Sequence, residues 1–223
     1  MKLISTLFTF LLLTSCAAIN PYSQWYTQYT DEFLPPTYDV RVEEVSYENL
    51  ENTQYQLFSE GYQQIGQSNF NGAIFDNSFA VSHAKDIGAS LVVIAKKYID
   101  SNTYTSGVVT YGLGVAPVTS TQRRFDQHAT YFTKELKPLK FGVYFEVLTP
   151  EQKEEYKTNY GLRVRAVVNK SPFFNAGVLP GDIILEIDDR KLFTLEDFYD
   201  DDNSSSIIFR RGEETLTKEI TSS

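Results

Sequence analysis

The chain has 223 residues, a formal net charge of −9, two histidines and one cysteine. A net negative charge of this size argues against nucleic acid as a partner, because binding the phosphates of a nucleic acid requires clustered Lys and Arg. A single cysteine excludes a disulfide within the chain. With two histidines it also falls short of the usual zinc ligand sets, so the sequence predicts no metal site and no cofactor.

The first stretch of the chain, MKLISTLFTFLLLTSCAA, has the features of a secretory signal. A single Lys2 precedes an apolar run from Leu3 to Leu13, and small residues follow that run. The run is shorter than the roughly 20 apolar residues that a membrane-spanning helix needs. We therefore expect this segment to direct export.

The sequence LTSC, which ends at Cys16, resembles the bacterial lipobox. The resemblance implies a signal peptide over residues 1–15 and a mature lipoprotein whose Cys16 carries fatty acids such as palmitate. This membrane anchor explains an unpaired cysteine in an exported chain. Ordinary cleavage after Ala18 is the alternative. Ala17 is not the aspartate that favours inner-membrane retention in some bacteria, so we expect the protein in the cell envelope, at the outer membrane.

Residues 16–37 are polar and aromatic, have no helical or strand periodicity, and end at a proline pair. This composition predicts a lipidated tether between the anchor and the folded part. In the alternative, the aromatic side chains of Trp25, Tyr26 and Tyr29 pack on the folded part instead.

Residues 38–140 have the pattern of a small α/β sandwich. Alternating valines predict a strand at 40–45, and a helix follows that ends at Gly61. A second helix, capped at Asp76 or Asn77, stops at Gly88 and leads into the apolar strand LVVIAKKYI. A turn-rich hairpin and a returning strand complete this domain of unknown function. Its GYxxIGxSxF pattern is similar to uncharacterised exported lipoprotein modules, and that resemblance implies no activity.

Ser68 lies in GQSNF, a sequence that approaches the G-x-S-x-G nucleophile elbow of hydrolases. Phe70 occupies the position of the second glycine, which normally relieves crowding at that strained turn. A hydrolase would need Ser68 to act with His83 or His128, the two histidines of the chain. We expect both histidines to be structural and the protein not to be an enzyme, and we keep the hydrolase as an alternative.

Residues 141–223 contain an ordered series of motifs: YGL at 160–162, the strand LRVRAVV, SP at 171–172, AGV at 176–178, PGDII at 180–184, and a closing hairpin, IIFRRGEETLTKEI. In this order they resemble a PDZ domain of the bacterial type found in the high-temperature-requirement serine proteases and in site-two proteases. The resemblance implies a partly open β-barrel with two short helices. It implies no catalysis, because the catalytic residues of those proteases lie outside their PDZ domains.

PDZ domains bind a peptide as an added strand, while loop amides receive its terminal carboxylate. We expect the YGL loop and the strand after it to form this site, opposite a short helix that begins near Thr194. The predicted loop and strand residues are Tyr160, Gly161, Leu162, Arg163 and Val164. The predicted helix residues are Leu195, Phe198 and Tyr199. Three aspartates at 200–202 oppose the dipole of that helix, which predicts a short groove.

The sequence therefore predicts a lipid-anchored cell-envelope protein whose PDZ-like domain binds peptide segments or protein C-termini, as an adaptor or regulator. The expected partners are envelope proteins, together with the membrane that Cys16 enters. A purely structural envelope lipoprotein is a further alternative.

Overall fold

A computed structural model of the chain describes residues 19–110, 114–137, 139–199 and 206–220. The predicted signal peptide at 1–15, the lipidation site at Cys16 and the three aspartates at 200–202 lie outside these ranges. None of the helices within them has the length and apolar character that crossing a membrane requires.

The secondary structure consists of short helices around two sheets. The helices are α1 (Pro21–Gln24), α2 (Leu50–Ser59), α3 (Asn77–Asp86), α4 (Pro150–Glu155), α5 (Pro172–Asn175) and α6 (Glu196–Tyr199). The strands are β1 (Tyr26–Gln28), β2 (Arg41–Val45), β3 (Gln63–Gly72), β4 (Leu91–Thr110), β5 (Gly114–Thr133), β6 (Val143–Val147), β7 (Leu162–Val167), β8 (Ile183–Ile187), β9 (Arg190–Lys191), β10 (Ser206–Arg211) and β11 (Glu214–Glu219).

The N-terminal sheet has the strand order β1-β3-β5-β4-β2, and it is covered on both faces. Successive residues of β4 point to opposite faces, as strand geometry requires. Val92 and Ile94 pack in a cluster with Ala84 of α3, and Val93 packs in a separate cluster with Leu57 of α2. This arrangement is a three-layer α/β unit, with the sheet between helices.

The predicted tether is wrong for residues 20–28, which belong to this unit. Strand β1 pairs with β3, and Tyr26 lies opposite Ser68. Tyr22 is fully buried, and its ring meets that of Phe70 at a centroid distance of 4.9 Å. Burial of this ring and the backbone pairing of β1 together offset part of the entropy that a free tether would keep. The α/β unit therefore includes residues before position 38.

The predicted turn-rich hairpin is also corrected, because the two strands continue through most of it. Strands β4 and β5 pair in one antiparallel ladder from Leu91 opposite Phe132 to Thr110 opposite Gly114. The Thr, Tyr and Val residues of this stretch favour extended backbone. The hairpin is consequently a long ribbon that extends beyond the packed layers.

The C-terminal sheet has the order β11-β10-β8-β7-β6, and β9 pairs with β8. This confirms the predicted mixed α/β fold class, and within the described residues the sheet does not close into a barrel. Three short helices, α4, α5 and α6, accompany it in the described residues, instead of the two that were predicted. One apolar cluster joins Phe145, Leu162, Ile184 and Phe209 in its core.

The two units contact each other through α2. Arg165 of β7 donates to Glu51 at 2.9 Å and to the Tyr55 hydroxyl at 3.1 Å. The ring of Tyr144 on β6 packs against Tyr55 and Phe58, at 5.8 Å from each ring centroid. Helix α2 therefore lies against the outer face of the C-terminal sheet, at its β6 and β7 end.

Candidate functional site

Strand β6 lies at an edge of the C-terminal sheet, where it pairs with β7 alone. The Val168 amide donates to the carbonyl oxygen of Gly142 at 2.7 Å. The next pair along, Val143 opposite Val167, is therefore a non-hydrogen-bonded pair, in which backbone polar groups point away from the partner strand. The N–H and C=O of Val143 consequently face the open edge.

Phe145 repeats this orientation two residues further along β6. Its partner Val164 receives a bond from the Gly181 amide and donates to the Asp182 carbonyl, both at 2.8 Å. Both backbone polar groups of Val164 thus point toward residues 181 and 182, away from β6. In an antiparallel pair of this kind, those of Phe145 point away from β7, toward the open edge. An extended peptide could therefore pair with alternate residues of β6.

The predicted strand position of the site is wrong, because β7 has partners on both sides. Residues Leu162 to Val164 pair with β6, and Leu162 and Arg163 also pair with β8. Leu162 and Val164 are buried in the core. An added strand has no free backbone edge there, so a peptide cannot pair along Leu162, Arg163 and Val164.

The predicted carboxylate loop is wrong for a related reason: its amides already have acceptors. The Gly161 amide donates to Leu192 at 2.6 Å, and the Tyr160 amide donates to the Thr158 hydroxyl at 3.3 Å. Gly161 has a φ of +117°, and an added Cβ would lie 2.7 Å from Ile183. Glycine is therefore required here for packing and turn geometry.

A second loop of the same local pattern, Phe141-Gly142-Val143, immediately precedes the open edge. Gly142 has a φ of +63°, and an added Cβ would collide with Ser171. Within the described residues the amides of Phe141 and Gly142 donate no hydrogen bond. These two amides and that of Val143 are placed to receive a carboxylate at the start of β6. The same hydrophobic-Gly-hydrophobic signal was available in the sequence.

Aromatic side chains line the core beneath this edge. Phe198 of α6 packs against Phe141 and Phe145, with ring centroids 5.2 and 4.5 Å apart, and Leu195 is partly buried against the same cluster. The structure thus places Phe198 beside β6. Tyr199 is the last residue of α6.

Helix α6 begins at a capped turn. The Asp197 carboxylate accepts hydrogen bonds from the amides of Phe193 and Thr194, at 2.7 and 2.8 Å, and these bonds hold its pKa below the usual value. The Asp197 amide in turn donates to the Thr194 hydroxyl at 3.4 Å. This reciprocal capping fixes where the helix starts and hence where Phe198 lies.

Lysines line both the cavity that contains the start of β6 and the cleft beside it. A cleft of about 650 Å³ lies between the two units, and its described lining includes four lysines and no Asp or Glu. They are Lys134, Lys137, Lys140 and Lys170. In a chain of net charge −9, this concentration of positive charge favours an anionic ligand group.

The hydrolase alternative does not have the geometry that it requires. Ser68 is fully buried, and its hydroxyl donates to the Tyr22 carbonyl at 2.6 Å. His128 instead contacts Asn69 and the Thr130 hydroxyl through its two ring nitrogens. Nothing in the described residues joins either histidine to Ser68 by a hydrogen bond, so no base is placed to activate the serine.

Both histidines are buried. Burial lowers the pKa of His128 to about 4 and lowers that of His83 as well. The His83 ring packs edge-on against Tyr26 and Tyr131, with centroids 4.6 and 5.2 Å apart. The described residues also contain no group of three or more His, Cys, Asp or Glu side chains placed to hold a metal ion.

Comparison with known proteins identifies the C-terminal unit. Residues 139–206 match the family described as the PDZ domain. The mitochondrial serine protease HTRA2 of Bos taurus is 33% identical over an alignment of 91 positions, which covers 36% of this chain and 20% of that protein. The chain thus spans about a fifth of the length of this curated relative.

Two solved structures are similar to about a third of the chain. The first is the HtrA3 PDZ domain bound to a phage-derived ligand (FGRWV), with a TM-score of 0.31 and 24% identity over 35% of this chain and 78% of that one. The second is the HtrA-type protease AlgW with a decapeptide, with a TM-score of 0.30 and 26% identity over 36% of this chain and 27% of that one.

Proposed function

Because residues 139–206 form a PDZ domain of the HtrA-like type, we propose that this protein binds the C-terminal segments of other proteins along β6. One observation carries the proposal: at the start of the open edge of β6, the amides of Phe141 and Gly142 have no hydrogen-bond acceptor within the described residues. A peptide added there gains main-chain hydrogen bonds along the strand, while its carboxylate meets the loop amides.

The opposite edge of the same sheet supports the choice of β6. Strand β11 carries Glu214, Lys218 and Glu219, and charged residues on an edge strand discourage pairing with another chain. In β6, Val143 and Phe145 flank the apolar cluster that contains Phe198. An apolar terminal side chain would be buried against this cluster, which adds hydrophobic free energy to the backbone pairing.

The proposed role is that of a non-catalytic adaptor or regulator in the cell envelope. The lipobox-like sequence before Cys16 supports a lipid anchor at the outer membrane, and the anchor would hold the binding domain near envelope proteins. The three aspartates at 200–202 favour a short groove wall, so affinity is expected to be on the order of micromolar.

Selection from a display library of heptapeptides with free C-termini tests the proposal on the full chain. We expect enrichment of peptides with an apolar last residue, and loss of binding when the selected peptide is amidated. Val143→Pro should also abolish binding, since it removes the N–H that faces the open edge while leaving the β7 pairing groups in place. Circular dichroism checks that this variant folds. Saturable binding that survives amidation would refute the proposed mode, and no enrichment at all would favour a purely structural role.

A further inference from the structure

The start of the β6 edge is not open solvent but one side of a cavity of about 570 Å³. Its lining from the PDZ domain includes Phe141, Gly142, Val143 and Phe198, the residues of the proposed site. The opposite lining comes from the α/β unit: Tyr29, Thr30, Glu32, Gln63 and Gln64. This volume lies within the roughly 300–1,000 Å³ typical of ligand sites.

The α/β side of this cavity is built on the edge of a sheet. The Tyr29 amide donates to the Ile65 carbonyl at 2.9 Å, which continues the pairing of β1 with β3 by one residue. The Gln63 side-chain amide donates to the Lys137 carbonyl at 3.0 Å. Gln64 lies opposite Phe132 in the ladder of β3 and β5. These bonds hold the cavity wall in place before any peptide arrives, which lowers the entropic cost of binding.

The same wall continues along β6. A neighbouring cavity of about 560 Å³ shares Tyr29, Gln64 and Val143, and it extends to Tyr144. The pKa of Tyr29 is raised, first by burial and second by the nearby Tyr144 phenol. Tyr29 of the α/β unit thus lines cavities together with two residues of β6, Val143 and Tyr144.

Charge favours a carboxylate at this end of the groove. Lys137 and Lys140 line the 570 Å³ cavity, and they also line the lysine-rich cleft beside it. Glu32 is the acidic residue among the described lining of the first cavity. Fixed positive charge near the loop amides, whose N–H groups have no acceptor within the described residues, attracts the terminal carboxylate of a peptide. It orients that carboxylate toward the start of β6.

We propose that the α/β unit forms the second wall of the peptide groove, so that the last residues of a peptide bound on β6 also contact Tyr29 and Gln64. This inference rests on the proposed function and deepens it. It assigns to the α/β unit a task in recognition: selecting the side chains near the peptide terminus. The groove is then a composite of both units, and the PDZ domain supplies the backbone pairing.

Four substitutions in the full chain test the composite groove. Tyr29→Ala and Gln64→Ala remove the two wall side chains, while Tyr38→Ala and Gln122→Ala remove exposed side chains outside the described linings of these cavities. The probe is a fluorescein-labelled heptapeptide selected on the wild-type chain from the display library. We expect each wall variant to weaken binding on the order of fivefold, and each control to bind like the wild type.

The outcomes separate this inference from the function on which it rests. If amidation and Val143→Pro abolish binding but both wall variants bind within about twofold of the wild type, the composite groove is wrong and the proposed function stands. Tighter binding by Tyr29→Ala would likewise overturn the inference, because the α/β unit would then obstruct the groove. If no peptide is enriched on the wild-type chain, both proposals fail. A repeat selection on Gln64→Ala should change the residues preferred near the peptide terminus.

Discussion

The amide of Val168 donates a 2.7 Å hydrogen bond to the carbonyl oxygen of Gly142, and this bond orients the edge of the C-terminal sheet. It directs the polar groups of the next residue, Val143, away from β7. The open edge therefore starts at the residue after the glycine loop. This places loop amides, open strand and the apolar cluster around Phe198 side by side.

Removing Arg165 should weaken the contact between the two units. Its guanidinium bonds Glu51 and Tyr55 and lies 4.8 Å from the Tyr55 ring centroid. Since Glu51 is well exposed, we expect Arg165→Ala to lower the free energy of unfolding by only about 0.5–1 kcal/mol. Urea denaturation measures this loss. Arg123→Ala, an exposed arginine on β5, is the matched control, and equal effects in both variants would contradict a specific role for the interface.

Stability should fall on mild acidification because of His128. Burial lowers its folded-state pKa to about 4, against 6.5 for an unperturbed histidine, so the unfolded chain binds its proton first. The contribution of neutral His128 to the free energy of unfolding is present above pH 6.5 and is lost as the pH falls toward 4. Its size is on the order of 2 kcal/mol.

Urea denaturation at several pH values between 7 and 4, for the wild type and for His128→Gln, isolates this contribution from those of the carboxylates. We expect the stability difference between the two proteins to shrink as the pH falls. A difference that stays constant over this range would show that His128 does not titrate as its burial requires.

Anchoring is tested at Cys16, which lies in the lipobox-like sequence. We expect Cys16→Ser to prevent incorporation of labelled palmitate and to leave the protein unprocessed or free of the membrane fraction. The measurement is fractionation of cells grown with the labelled fatty acid, followed by mass determination of the mature N-terminus. A native protein that begins at Ile19 and carries no acyl mass would contradict lipidation.

The order of short motifs in the sequence was enough to predict the PDZ domain and the mixed fold class. It was not enough to locate the groove, because Phe141-Gly142-Val143 and Tyr160-Gly161-Leu162 share the same local pattern. The two loops differ in strand order, which places β6 at an edge and β7 inside the sheet. Strand order depends on pairings between distant parts of the chain, and periodicity within one segment carries no information about it.

For a similar reason the sequence left docking of the segment before residue 38 as an alternative to a free tether. Tyr22 is buried against Phe70, a residue far along the chain, and the Tyr22 carbonyl accepts the Ser68 hydroxyl. An aromatic residue in a polar segment is compatible with a free or a packed state until its partner is known. The apolar character of Leu195 and Phe198 was visible in the sequence, and the structure packs both against the C-terminal cluster, with Leu195 just before α6 begins.

Backbone amide chemical shifts test the position of the groove most directly. The measurement is a ¹⁵N–¹H titration of the full chain with the selected heptapeptide. Binding along β6 predicts the largest changes at the amides of Phe141, Gly142, Val143 and Phe145, with small changes at Leu162 and Val164. Largest changes at Gly161, Leu162 and Val164, with β6 unaffected, would contradict peptide binding at the open edge.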